Sequence, residues 1–82
     1  MIIRAYAIYD NKARVYSHPF FTNTDETAQR IFTTMASDGQ SNISKFPSDF
    51  ELFFVGDYDD ATATLTAYPK QNFGLASNFK EI

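Results

Sequence analysis

Nine phenylalanines and five tyrosines in 82 residues, with no tryptophan and no cysteine, constrain this chain more than any other feature. A domain of this size buries only about 60% of the surface its unfolded chain exposes, so its stability is marginal without help. The lack of cysteine excludes disulfides and thiolate metal sites and fits a reducing compartment. The rings must therefore carry the core. One helix and a small sheet cannot hide them all, which predicts that some lie exposed or between copies of the chain.

Residues 2–9 alternate, with Ile3, Ala5, Ala7 and Tyr9 on one side and Ile2, Arg4, Tyr6 and Ile8 on the other, the pattern of a strand. Asp10-Asn11-Lys12-Ala13 is a polar turn of hairpin length, and Arg14 to Ser17 continue as a second strand ending towards Pro19. Pro19-Phe20-Phe21 precedes a helix as a hydrophobic staple and core plug. Thr24 is a natural N-cap, Asp25 and Glu26 suit the positive helix start, and Ala28, Ile31, Phe32, Met35 and Ala36 recur at helical spacing before Asp38-Gly39 ends the run.

Residues 39–49 form a polar connection with room for a short helical turn, anchored by Ile43 and Phe46. Phe50 to Asp57 is the most apolar strand, Asp57 to Ala61 a turn, and Thr62 to Tyr68 a last strand that Pro69 stops. Gly74 to Phe79 form a final short helix or tail anchored by Phe73 and Phe79. The order strand, strand, helix, strand, strand predicts an α+β domain spanning residues 1–82. It has a four-stranded antiparallel sheet, one long helix on one face and a short C-terminal helix or tail.

If the alanine-bearing sides of the strands face the helix, the uncovered side collects Arg4, Tyr6, Arg14, Tyr16, His18, Thr64, Thr66 and Tyr68. Rings interleaved with cations suit single-stranded nucleic acid, because bases stack on the rings while guanidinium and ammonium groups hold phosphates. The expected nucleic-acid site is therefore Arg4, Tyr6, Lys12, Arg14, Tyr16, His18 and Tyr68. The same rings also suit a second core or a homo-oligomer interface. The net charge of -3 argues against a histone-like coat, but residues 1–18 carry a balance of +2 while the remainder carries -5. Any polyanion site thus involves the first hairpin.

Other chemistries find little support. Asp57, Asp59 and Asp60 lack the further oxygen ligands and closing glutamate of a calcium loop, so no metal is expected there. A lone histidine, His18, excludes a two-histidine metal site or nuclease pair within one chain, and no nucleophile sits at a recognisable spacing from it. Gly39, Gly56 and Gly74 are isolated, so there is no phosphate-binding loop. Neither an enzyme nor a cofactor is expected. No apolar run reaches the roughly 18 residues of a membrane span, and Met1-Ile2-Ile3 leads to Arg4 rather than into a signal-peptide core.

Five word-groups occur in a fixed order: Tyr9-Asp10-Asn11-Lys12-Ala13, Pro19-Phe20-Phe21, Ala28-Gln29-Arg30-Ile31-Phe32, Pro47-Ser48-Asp49-Phe50-Glu51-Leu52-Phe53, and Gly56-Asp57-Tyr58-Asp59-Asp60-Ala61-Thr62. With the C-terminal Gly74-Leu75-Ala76-Ser77-Asn78-Phe79-Lys80, the chain resembles over nearly its whole length the small nonstructural protein of gokushoviruses, single-stranded-DNA phages of the microvirus family. The resemblance implies a non-enzymatic accessory protein in the host cytoplasm that binds single-stranded or replicating viral DNA during genome synthesis or packaging. The alternative is a dimeric protein-interaction module that docks on a viral or host replication or procapsid protein without touching DNA, which suits the acidic balance.

Overall fold

The structure is a computed structural model and describes residues 1–79; Lys80, the last residue of the C-terminal word-group, lies outside the described residues. In chain order the elements are β1 (Ile2–Asp10), β2 (Val15–Tyr16), β3 (Phe20–Thr22), α1 (Asp25–Ser37), α2 (Asn42–Lys45), β4 (Phe50–Asp59) and β5 (Thr64–Leu75). Turns of 3-10 helix follow α2 at Pro47–Asp49 and β5 at Ala76–Asn78. Every strand pair is antiparallel, in the order β2-β1-β4-β5, with β3 also on β1. Because β4 occupies one side of β1 throughout, β2 and β3 share the other side as one interrupted strand.

The fold is α+β as expected, but the sheet has five strands rather than four. The extra strand arises where the second strand breaks. At Ser17 the chain leaves the ladder, and the Ser17 hydroxyl accepts the Ile8 N–H at 2.9 Å while its N–H reaches the Ile8 carbonyl at 2.7 Å. One side chain thus replaces a ladder carbonyl ahead of Pro19, which has no N–H to offer. Phe20 and Phe21, expected as a plug, then re-enter the sheet as β3; Phe20 packs on the core and Phe21 stays exposed.

The helix is capped as read: the Thr24 side chain accepts the Thr27 N–H, Asp25 and Glu26 fill the first turn, and Gly39 leaves it at φ 76°. It is not long. Its 13 residues extend about 20 Å, less than the span of β1, so part of the helix-side sheet stays uncovered. The short turn in the connection is α2, capped by Ser41. Ile43 packs on the core as expected, whereas Phe46 is 56% exposed and anchors nothing.

The faces of the sheet are the reverse of those expected. Tyr6 and Ile8 of β1, with Leu52 and Phe54 of β4, meet Ala28, Phe32 and Ala36 of α1. The small residues that let the layers approach are on the helix, Ala28 and Ala36 four residues to either side of Phe32, so the large strand residues fill the gap. Ala5 and Ala7 point the other way, towards the uncovered face.

The last strand runs through Pro69 to Leu75 instead of stopping there. Phe54 pairs with Gln71 and Gly56 with Ala67, so Tyr68, Pro69 and Lys70 stand against Val55 alone in a bulge. On an edge strand, within a bulge, a missing N–H costs no ladder bond. The acidic turn is displaced too: Asp57 and Asp59 belong to β4, and the turn occupies residues 60–63. Phe73 and Phe79 anchor the tail as expected. No helix of the described residues is long and apolar enough to cross a membrane.

At Gly56 the neighbouring β5 backbone leaves no room for a side chain. A Cβ there would lie 2.2 Å from the Thr66 carbonyl oxygen, a backbone atom that cannot yield alone. Gly56→Ala should therefore cost about 2 kcal/mol or more in urea unfolding. Gly39→Ala, which meets nothing within 4 Å and suffers only from its positive φ, should cost about 1 kcal/mol.

Candidate nucleic-acid interface

The expected binding residues divide between opposite sides of the sheet. Tyr6 is fully buried. Its ring contacts Phe20, Phe54 and Phe73, and its hydroxyl donates to Asp25 at the start of α1. Arg4 lies beside it, donating from Nε to Asp25 Oδ1 at 2.8 Å and to the Tyr6 hydroxyl at 3.1 Å, with its guanidinium 4.0 Å from the Phe54 ring centroid. Tyr68 stacks on the same Phe54 at 5.9 Å, and the nearby Asp57 carboxylate pushes its phenol above the ordinary range. Arg4, Tyr6 and Tyr68 thus form a structural cluster on the helix side, and Tyr6 is closed to any base. The single face expected for all seven residues does not form, because β1 turns its large residues rather than its alanines to the helix.

Thr64 and Thr66 are on this helix side too, lining a small hollow with Ile2, Asp57, Asp59 and Tyr68. Its two carboxylates make it unsuited to phosphate.

Tyr16 occupies the other side. Its partner in the hairpin register is Tyr9, and the two rings are 4.6 Å apart. Phe53 stands edge-on to both, 5.6 Å from Tyr16 and 6.4 Å from Tyr9. The Lys70 ammonium lies 5.7 Å from the Tyr16 ring centroid, within reach of its π-face. Three rings and a cation from β1, β2, β4 and β5 therefore meet on the helix-free face, with Tyr16 39% exposed.

Lys12 and Arg14 belong to the adjoining β1–β2 turn, where both are exposed and Lys12 lines a hollow with Asp10, Phe46, Asp49 and Phe50. Asp10 builds that turn: its carboxylate accepts the N–H groups of Lys12 at 2.9 Å and Ala13 at 3.2 Å, and its carbonyl accepts that of Arg14 at 2.7 Å. Arg14 sits at φ 59°, a left-handed conformation that closes the turn and leaves its side chain exposed. His18 is exposed on the interrupted edge, at the mouth of a groove that opens towards α1.

The structure thus brings together Tyr16, Lys12 and Arg14 with three residues not foreseen: Tyr9, Phe53 and Lys70. Tyr9 escapes the reading because a turn over residues 10–13 pairs it with Arg14, whereas the observed turn over residues 11–14 pairs it with Tyr16. Phe53 follows from alternation along β4. Lys70 was hidden by Pro69. Glu51, paired with Tyr9 in the ladder, is the one carboxylate that register places on this face near the platform among the described residues.

The chain belongs to the Phage ORF5 protein family, whose model matches residues 3–79. It is 36% identical over 58 residues to the protein ORF5 of Chlamydia phage 1, covering 66% of this chain and 60% of that relative. The match thus spans less than two thirds of that relative's length. No solved structure matches the chain. This is accordingly a small phage protein.

Burial first, and then the bond to Asp25, hold the Tyr6 hydroxyl protonated beyond the ordinary phenol range. A folded-state value raised in this way contributes stability that is complete below pH about 10 and is lost as pH rises through the folded value. Tyr6→Phe should cost about 1 to 2 kcal/mol at neutral pH. It should also make the loss of stability above pH about 10 shallower, read from urea midpoints across an alkaline series.

Proposed function

We propose that this Phage ORF5 protein binds single-stranded or replicating viral DNA in the host cytoplasm, as a non-enzymatic accessory to genome synthesis or packaging. One observation carries the reading: Tyr9, Tyr16 and Phe53 gathered on the helix-free face, with Lys70 over Tyr16 and Lys12 and Arg14 at the adjoining turn. Every base offers a π-face, so such a platform takes a strand without regard to sequence, while the three cations follow its phosphates. An aromatic trio half-open to water is costly to maintain for stability alone. The acidic residues Asp57, Asp59 and Asp60 cluster at the opposite end of β4, away from this surface.

The second reading, a protein-interaction module, draws on a separate observation, the apolar groove beside His18. The two surfaces meet at the hairpin edge, where Tyr16 belongs to the platform and also lines the groove.

Fluorescence anisotropy with a labelled single strand at low salt tests the reading. With three cations in contact, the slope of log K against log salt should be about -2. Tyr16→Ala should remove about 1 to 3 kcal/mol of binding. Lys70→Ala should weaken binding and flatten the slope by one contact, and Arg4→Ala should change binding little because Arg4 is on the other face. Absence of binding by the parent chain at low salt overturns the proposal.

A further inference from the structure

One carboxylate on the helix-free face goes unpaired. Glu51 precedes Leu52, which is buried in the core, and stands two residues from Phe53, so alternation along β4 places it on the platform side. Its ladder neighbours are Tyr9 on β1 and Leu75 on β5, neither of which carries a charge. Although the residue is half-buried, no hydrogen bond or ion pair reaches its carboxylate among the described residues; the ion pairs there lie at Met1 and Arg4.

Beside the same rings stands an oriented donor. Asn72 on β5 is the ladder partner of Phe53 and is exposed. Its Oδ1 accepts the Gly74 N–H at 2.7 Å, which fixes the amide and leaves both Nδ2 hydrogens without a partner among the described residues. Glu51 and Asn72 are diagonal neighbours across β4 and β5, about 7 to 8 Å apart along the backbone, a gap that the edge of one purine can bridge.

A carboxylate beside a polyanion has to meet something other than phosphate. Stacked bases turn their edges, not their phosphates, to the residues around the rings. Guanine presents O6, N1–H and N2–H in a row: its two N–H groups match the two oxygens of one carboxylate, and O6 accepts from an amide N–H. Thymine has one N–H between two carbonyls, so a carboxylate that takes that N–H meets a carbonyl with its second oxygen. Cytosine and adenine set a single amino group beside a ring nitrogen that is itself an acceptor, and make one bond where guanine makes two. Resting on the single-strand reading above, we infer that Glu51 and Asn72 make the platform guanine-preferring: a base stacked at Tyr16 is held through N1–H and N2–H by Glu51 and through O6 by Asn72. Stacking alone is indifferent to the base, and these edge contacts rank the bases it accepts.

Fluorescence anisotropy at low salt compares two labelled strands of equal length, one of thymine alone and one alternating thymine with guanine. The parent chain should bind the guanine-bearing strand about tenfold or more tightly. Replacing each guanine by hypoxanthine, which keeps O6 and N1–H but lacks the N2 amino group, should remove most of that difference. Glu51→Gln should bring the two strands within about threefold of each other. A carboxylate that only repels phosphate would behave otherwise: its removal would raise both affinities by the same factor and leave their ratio intact. If Glu51→Gln fails to fold by circular dichroism, the hypoxanthine strand with the parent chain decides. Equal binding of the two strands by the parent, no loss with hypoxanthine, or an unchanged ratio in a folded Glu51→Gln chain overturns the inference and leaves the single-strand reading in place. Binding to neither strand overturns both.

Discussion

The placement of Tyr6 governs the molecule. Its ring occupies the centre of the core, against Phe20, Phe54 and Phe73, and its hydroxyl reaches out of that core to Asp25 on the first turn of α1. One residue therefore joins β1 to β3, to β4, to the end of β5 and to the helix. A buried phenol must find an acceptor, and the Asp25 carboxylate, itself held by Arg4, provides one where the helix dipole favours negative charge. The register of β1 follows from this. With Tyr6 inward, Ile8 is inward too, and Ala5, Ala7 and Tyr9 are turned to the open face.

That choice also explains which parts of the fold were legible. The Thr24 cap, the helical stripe from Ala28 to Ala36 and the alternation of β1, β4 and β5 are local properties, and each is written in a few neighbouring residues. Which side of a strand is buried is not local. Two readings of β1 were chemically acceptable: alanines inward allow a close helix, and Tyr6 with Ile8 inward allow a larger core. The helix settles the matter by bringing its own small residues, Ala28 and Ala36, both fully buried, so that the sheet must bring the large ones. A one-residue change of face then moves Arg4, Tyr6 and Tyr68 away from Tyr16 and brings Tyr9 and Phe53 to it. The candidate site was therefore half readable: a turn after Asp10 carrying Lys12 and a hairpin carrying Tyr16, but not Arg14 within that turn, where a strand start was expected, nor the ring partners of Tyr16.

Both missed strand features share a cause. The reading of Pro19 and Pro69 as strand ends applies to central strands, where a lost N–H leaves a carbonyl unpaired. Both prolines sit at sheet edges. At Pro19 the Ser17 hydroxyl substitutes for the ladder, and at Pro69 a bulge absorbs the irregularity, so the chain resumes pairing in each case. The length of β5 beyond Pro69 carries Lys70 to the Tyr16 ring, and the re-entry of β3 carries Phe20 under Tyr6.

The bulge at Tyr68 to Lys70 has a further consequence. A β5 running straight for 12 residues, exposed along one side, would offer an unbroken row of backbone donors and acceptors to any extended chain it met. Three residues standing against Val55 bend that row in its middle, Pro69 deletes one donor, and Lys70 adds a charge. No flat template long enough for stacking strand upon strand remains, so the sheet resists fibril growth through this edge even when many copies crowd together.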